Sequence, residues 1–253
     1  MNTINEVREL QAGIDEMRNL AKHNPRTSIL GKEFLIYSEV FHPCTAPDIK
    51  QFLTEEVLKV VEEELLKKSA EASFDFLEVG CGAGYTAIFA ALVSQKCKLW
   101  ATDINDIAVK NTFDNAKIHG VDDRLKAVIA DVFDNKEITG KKFDTIYSDC
   151  PWYGQHTKPG IQVDMLMRSL IDPGYQAFRR YLSQARGFLK KMGRILVAFC
   201  FTVGSKELFE RVVNETGWSY KISSRNIFLV EIADDQQEVE ISLVEFFERD
   251  DNL

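Results

Sequence analysis

The sequence has few of the cysteines that a disulfide-stabilised or zinc-binding protein needs. Its 253 residues include five, which are widely spread: Cys44, Cys81, Cys97, Cys150 and Cys200. No two of them form a C-x-x-C pair, the common spacing of zinc ligands and of redox motifs. An odd, scattered set argues against a disulfide framework and against a metal site, and it favours a cytoplasmic protein in a reducing compartment.

Long apolar runs and an excess of positive charge are also missing. No run approaches the roughly 18 residues of a membrane-spanning helix, and the opening residues MNTINEVREL have no apolar core for a signal peptide. The formal net charge is −8, whereas proteins that grip nucleic acid usually cluster many lysines and arginines. We therefore expect no membrane partner, we favour a small molecule or peptide over nucleic acid, and the oligomeric state stays open.

Hydrophobic periodicity predicts a helical N-terminal region. Residues 3–23 carry apolar side chains every three or four positions, which is the stripe of an amphipathic helix, and a proline ends the pattern. Residues 33–37 are typical of a short strand, and residues 48–68 of a second amphipathic helix. We predict an N-terminal extension at residues 1–70 and a main domain at residues 71–253.

From residue 74 onward, predicted strands alternate with predicted helices. The strands are at 74–79, 98–102, 125–130, 143–147 and 194–201, and the helices are at 85–94, 107–119 and 172–190. Such alternation indicates a parallel sheet with helices on both faces. Two further extended segments, 219–230 and 238–247, predict a closing antiparallel hairpin. The expected fold is α/β and Rossmann-like, with a seven-stranded, mostly parallel sheet.

A glycine-rich turn joins the first of these strands to the next helix. It consists of Glu78-Val79-Gly80-Cys81-Gly82-Ala83-Gly84. Glycines at alternate positions let the backbone turn sharply and approach a ligand closely, and the N-terminus of the following helix suits an anionic group. The third glycine comes one residue too early for the dinucleotide fingerprint G-x-G-x-x-G.

The turn instead resembles motif I of the class I S-adenosylmethionine (SAM)-dependent methyltransferases. The resemblance implies that Glu78 orients the amino group of SAM. It also implies that the rest of the turn wraps the methionine part of SAM, through Gly80, Cys81, Gly82 and Gly84. The alternative for Glu78 is an ordinary solvated carboxylate at the end of a strand.

Two acidic residues lie at the ends of the next two strands. Asp103 comes 19 residues after Gly84, at the place where a carboxylate accepts hydrogen bonds from the ribose hydroxyls of a nucleotide. Ile104 would then form a platform for adenine. Asp103 has the alternative role of capping the next helix. Asp131, with its neighbour Val132, resembles the adenine-reading position of the same family, although aspartate is also common in loops.

The segment after the fourth strand is Ser148-Asp149-Cys150-Pro151-Trp152-Tyr153. It resembles the [N/D/S]-P-P-[Y/F/W] motif of methyltransferases that act on planar amide or amino nitrogens. Such a nitrogen is a weak nucleophile because its lone pair is delocalised. The Asp149 carboxylate and the Cys150 carbonyl can accept its N–H bonds and turn it toward the methyl group. Pro151 stiffens the loop, and Trp152 offers a stacking face.

We therefore predict catalytic roles for Asp149, Cys150, Pro151 and Trp152. Cys150 stands where the motif has its first proline, which loosens the assignment to nitrogen. A nucleophilic cysteine is an alternative, although methyl transfer from SAM needs no covalent intermediate. Substrate contacts are predicted for Trp152 and Tyr153, and also for His156 and His42, with a solvated loop and a plain turn as the alternatives for the two histidines.

The resemblance extends over roughly residues 31–247. Residues 170–182 and 189–195 look like the segment that follows the motif in release-factor glutamine methyltransferases, and residues 31–43 look like the segment that lines their substrate side. The implied role of residues 1–70 is a substrate-side wall or lid. The implied activity is SAM-dependent N-methylation of an amide, amino or ring nitrogen in a small molecule, peptide or nucleobase. The alternatives are an NAD-dependent oxidoreductase and a SAM-binding regulatory protein without catalysis.

Overall fold

Seven strands form one sheet at the centre of the structure, a computed structural model that describes residues 3–43, 47–154, 163–232 and 235–249. The helices are α1 (Thr3–His23), α2 (Pro47–Leu66), α3 (Tyr85–Val93), α4 (Asp106–Ile118), α5 (Gln176–Ala185) and α6 (Lys206–Glu215). The strands are β1 (Arg26–Ile29), β2 (Lys32–Leu35), β3 (Phe74–Val79), β4 (Cys97–Asp103), β5 (Leu125–Ile129), β6 (Phe143–Asp149), β7 (Leu189–Cys200), β8 (Trp218–Ile232) and β9 (Asp235–Glu248). The sheet order is β5-β4-β3-β6-β7-β9-β8, and β1 and β2 form a separate hairpin.

The carboxyl ends of the parallel strands meet at one edge of the sheet. The neighbouring pairs among β5, β4, β3, β6 and β7 are parallel. Strand β9 pairs antiparallel with both β7 and β8 and so closes the sheet. The register places Val79 beside both Thr102 and Ser148. Because β3 lies between β4 and β6, the order of connections reverses at β3, and open α/β sheets bind ligands outside such a point.

The predicted fold class is confirmed. The sheet has seven strands, most of them parallel, and it ends in the antiparallel β8–β9 hairpin. The first predicted helix coincides with α1, and the second differs from α2 by one or two residues at each end. Long segments with a clear apolar period carry enough information to fix their own type.

Helix α6 was missing from the sequence prediction. Ser205 caps it, with its Oγ accepting a hydrogen bond from Leu208 N at 3.2 Å. Its buried face consists of Phe209, Val212 and Val213, which have the spacing of an amphipathic helix. The signal was therefore present in the sequence, between a predicted strand and the closing hairpin.

The helix predicted at 172–190 is shorter in the structure. Tyr175 adopts a left-handed backbone conformation with φ of 49°, so regular helix begins only after it. A 3-10 turn at Arg186–Phe188 ends the helical path, and β7 starts at Leu189 instead of at residue 194. Lys190 stabilises the early start, since its Nζ donates to Asp144 at 2.9 Å on the neighbouring strand. The N-terminal strand predicted at 33–37 is one arm of the β1–β2 hairpin.

Buried amides attach the N-terminal extension to the main sheet. Asn111 and Asn115 of α4 accept hydrogen bonds from Tyr37 N at 3.0 Å and Leu35 N at 2.9 Å. The Asn115 amide also donates to the Leu35 carbonyl at 2.8 Å and to the Ala83 carbonyl in the glycine turn at 2.9 Å. One fully buried side chain thus joins the extension to that turn.

Helix α1 packs on the segment that follows residue 162. Ile14 and Met17 form a small buried cluster with Leu166, Met167 and Ile171. Across the described ranges, none of the helices is long and apolar enough to cross a membrane.

Candidate active site

A cavity of about 510 Å³ opens at the carboxyl edge of the sheet. This volume lies within the roughly 300–1,000 Å³ of typical small-molecule sites. Its walls come from the loops after β3, β4, β5 and β6, from the N-terminal extension and from the segment 163–181. The cavity therefore lies at the point where the strand order favours a ligand.

The glycine turn after β3 forms the floor of the cavity. Gly80 and Gly82 have φ angles of 77° and 56°, which side chains other than glycine rarely adopt. Gly84, with φ of 81°, directly precedes α3, and a Cβ there would lie 2.7 Å from Cγ2 of Thr112. Gly84 does not line the cavity; its absent side chain lets α4 pack directly against the turn.

Glu78 is buried beneath the glycine turn. Its side chain is 4% exposed, and its Oε2 accepts a hydrogen bond from Ala87 N at 2.9 Å in α3. Burial raises the pKa of Glu78 to about 8, and the nearby charge of Asp149 adds to the effect. The alternative of a solvated carboxylate at the end of a strand is thereby excluded.

Asp103 is tied to the glycine turn. Its Oδ2 accepts from Gly82 N at 2.9 Å, and its Oδ1 accepts from Asn105 N at 2.9 Å. Burial raises the pKa of this carboxyl above its usual value. Asn105, and not Asp103, caps α4, since its side chain accepts from Ile107 N at 3.0 Å. Each carboxylate oxygen keeps a lone pair for another donor, and Ile104 forms the adjoining wall.

Asp131 lies at the far side of the same wall. Both its oxygens accept hydrogen bonds from Arg180 of α5, at 2.6 and 2.8 Å. Both side chains are more than two-fifths exposed, so the pair is partly solvated. Val132, with φ of 60°, turns the chain here and also lines the cavity. The Asp131–Arg180 pair was not expected from the sequence, because it depends on where α5 docks.

The loop after β6 is held from behind by the chain around residues 170–175. Tyr153 N donates to the Leu170 carbonyl, and Asp172 N donates to the Tyr153 carbonyl, both at 3.0 Å. The Tyr175 hydroxyl donates to the Trp152 carbonyl at 2.6 Å. Gly154 packs so tightly on the Tyr175 ring that a Cβ would come within 2.3 Å of it. Residues 170–175 therefore stiffen the loop that follows Asp149.

The last residue of β6 and the loop that follows it reach the cavity, through Asp149, Cys150, Pro151 and Trp152, with Tyr153 beside them. The Cys150 thiol is buried and donates to the Ala198 carbonyl at 3.6 Å. Burial raises the pKa of Cys150 well above its usual value. The thiol is therefore held protonated, which opposes the alternative of a nucleophilic cysteine because the thiolate is the reactive form.

Lys50 of α2 is a cavity residue that the sequence reasoning missed. Its Nζ forms an ion pair with Asp149, and each side chain is only 17% exposed. The same Nζ lies 4.7 Å from the ring centre of Phe41 and 5.9 Å from that of Trp152. A signal existed: Lys50 is three residues before buried Leu53 and seven before buried Val57, so it lies on the apolar face of its helix.

One of the two predicted histidines, His42, lies away from the cavity. His42 is 2% exposed, and its Nε2 lies 3.2 Å from the Asn24 carbonyl. Burial lowers its pKa, and it does not line the cavity. His156 lies outside the described residues.

A family model described as a methyltransferase domain matches residues 70–240. A bifunctional methyltransferase from Rickettsia felis is 26% identical over 227 residues, which cover 78% of this chain and 42% of that protein. A release factor glutamine methyltransferase from Streptococcus pneumoniae is 23% identical over 209 residues, which cover 79% of this chain and 71% of that protein. The chain spans less than half the length of the two Rickettsia relatives that match it over three quarters of its own length.

Solved structures show the same fold. A SAM-dependent methyltransferase from Agrobacterium tumefaciens aligns with a TM-score of 0.57 at 16% identity, over 88% of this chain and 69% of that one. A second structure, solved in complex with S-adenosylhomocysteine (SAH), has a TM-score of 0.57 at 10% identity, over 88% and 56% of the two chains. The family match covers most of the sequence, so the chain belongs to the methyltransferase-domain family.

Proposed function

We propose that this methyltransferase-family chain binds SAM in the cavity and transfers its methyl group to a planar nitrogen. The observation that carries the proposal is that one cavity is lined both by the glycine turn with Glu78 and Asp103 and by the loop from Asp149 to Trp152. The first set of residues suits a ligand such as SAM, which joins a nucleoside to an amino acid. The second set suits a planar group that carries the acceptor nitrogen. A methyl transfer needs both groups side by side.

The donor half would hold SAM by its two ends. Glu78, buried under the turn, would meet the ammonium of the methionine part, and Asp103 would accept hydrogen bonds from the ribose hydroxyls. Ile104 would support adenine, beside Val132 and Asp131. The backbone of Gly80, Cys81 and Gly82 would contact the methionine part of SAM directly, because the two glycines have no side chain to hold it away.

The acceptor half would align the nitrogen. Asp149 and the Cys150 carbonyl would accept its N–H bonds, and Trp152 would stack on the planar group that carries it. The N–C bond would form as the S–C bond of the sulfonium breaks to leave SAH, and the nitrogen would give up one N–H proton to Asp149 or, through it, to solvent. Holding the nucleophile in line with the methyl group supplies most of the acceleration in such a displacement. Since the Cys150 thiol is held protonated, the mechanism runs without a covalent enzyme intermediate.

A carboxamide in a peptide or protein is the acceptor that we favour. Relatives include enzymes named for glutamine methylation of release factors and of ribosomal protein uL3, which supports an amide substrate. Residues 1–70 would serve as the substrate-side wall, since Phe41 and Lys50 from this region line the cavity. The four described cysteines are free and buried, which supports a reducing, cytoplasmic setting.

Product analysis with methyl-labelled SAM tests the proposal. We expect label in a glutamine side chain of a peptide or protein pool, located by mass spectrometry, and a rate lower by roughly 10²–10³ for Asp149→Ala. Label on a hydroxyl or a carbon would contradict the nitrogen assignment. Full turnover by Asp149→Ala would show that the loop after β6 has another role.

A further inference from the structure

Lys50 occupies a place that would otherwise attract a cation. A place that offers both a carboxylate and aromatic ring faces is a strong binding site for an ammonium group, because both stabilise positive charge. The Lys50 ammonium has all three neighbours here: the Asp149 carboxylate and the rings of Phe41 and Trp152. In this chain the Lys50 ammonium, which belongs to α2, fills that place.

We propose that Lys50 determines which acceptors the cavity takes, by selecting an uncharged planar nitrogen and rejecting a protonated amine. The inference rests on the proposed function and names the specificity of that same site. Lys50 binds Oδ2 of Asp149, which leaves Oδ1 to accept an N–H bond from a neutral amide. An ammonium ligand would have to displace Lys50 or lie beside a like charge in a mostly buried place.

Low exposure to solvent strengthens the repulsion between Lys50 and an ammonium ligand. Lys50 and Asp149 are both largely withdrawn from solvent, so water screens their charges poorly. Glu78 also feels both groups: burial is the main cause of its raised pKa, Asp149 raises the pKa further and Lys50 opposes them. Removing the Lys50 charge should therefore leave the Asp149 carboxylate without its partner and free to attract a cation.

Binding of two small probes to the SAH-saturated protein tests the inference. Propionamide represents a neutral amide, n-propylammonium represents a protonated amine, and ligand-observed NMR gives both dissociation constants. For the wild type we expect propionamide to bind at least roughly tenfold more tightly than n-propylammonium. We expect Lys50→Met to reverse the preference and Lys50→Arg, which keeps the charge, to retain it.

Lys110→Met is the matched control. Lys110 also pairs with an aspartate and lies 4.9 Å from an aromatic ring centre, that of Tyr37, but it is not part of the cavity wall. Its removal should leave the probe ratio unchanged. Thermal unfolding and SAH titration of each variant verify that the fold and the donor half are intact. Lys50→Gln, which also removes the charge and should also reverse the preference, carries the test if Lys50→Met does not fold.

Four outcomes would overturn the inference: equal binding of both probes by the wild type, an unchanged ratio in Lys50→Met, no binding of either probe, or a reversed preference in Lys50→Arg. Failure of the wild type to bind SAM or SAH at all would instead overturn the proposed function. Normal SAH binding with an unchanged ratio would remove only the role of Lys50.

Discussion

The two halves of the cavity are built in different ways. The centre of the donor half consists of the end of β3, its glycine turn and the end of the neighbouring β4, where Gly82 N donates a hydrogen bond to Asp103. The acceptor half is assembled from distant segments, since Lys50 meets Asp149 across 99 positions of the chain. The donor half therefore depends on local backbone geometry, whereas the acceptor half depends on how separate elements dock.

The largest expected effect comes from breaking the backbone of the donor half. Gly84→Ala should destabilise the fold by about 2–4 kcal/mol, because a left-handed φ costs about 1–2 kcal/mol and overpacking against Thr112 costs a similar amount. Gly120→Ala is the control, since Gly120 has φ of 65° with no atom within 4 Å of the added Cβ. Urea unfolding measures both. Equal losses would show that the contact with Thr112 contributes nothing.

A smaller effect is expected from loosening the acceptor half. Tyr175→Phe removes the hydroxyl that donates to the Trp152 carbonyl and accepts from Ser205 N at 3.0 Å. Without the hydroxyl, the Trp152 carbonyl and the Ser205 N–H lose their partner, which should cost about 1–3 kcal/mol of stability. Methyl transfer should also be slower, with SAM affinity unchanged. Tyr220→Phe, which loses a longer 3.3 Å bond to Glu210, should stay near the wild type. A drop in SAM affinity in Tyr175→Phe would mean that the two halves are not separable.

A pH dependence, with the smallest effect for a single pH unit, also belongs to the donor half. In the folded chain the Glu78 carboxyl keeps its proton up to a pKa of about 8, whereas its ordinary value is 4.5. The folded state thus holds more protons between these values, and stability falls as pH rises through them, by at most about 1.4 kcal/mol per pH unit. Glu78→Gln should remove this slope in urea unfolding at pH 5 to 8. An identical slope in the variant would mean that another group titrates.

The contrast between the halves also explains what the sequence could and could not predict. Glu78, the glycines and Asp103 follow from strand ends and turns, which are visible within a few residues. Asp149 and Trp152 could be singled out by their own local pattern. The support of Trp152 by Tyr175 could not be predicted, and neither could the pairing of Arg180 with Asp131, because both depend on how α5 and the chain before it dock.

Two omissions had readable signals. Lys50 lies on the buried face of α2, where a charged residue needs a partner. Helix α6 has a serine cap and three apolar residues at helical spacing. The His42 prediction rested only on its position beside a proline, which does not indicate which way a side chain faces.

Calorimetric titration of SAM into three proteins tests the central claim most directly. The account predicts that the wild type binds SAM, that Asp103→Ala binds it more weakly by about 2–4 kcal/mol through lost charge-assisted hydrogen bonds, and that Asp149→Ala binds it nearly as well as the wild type. NAD should not bind. Tight NAD binding without SAM binding, or equal losses of SAM affinity in the two variants, would contradict a cavity with separate donor and acceptor halves.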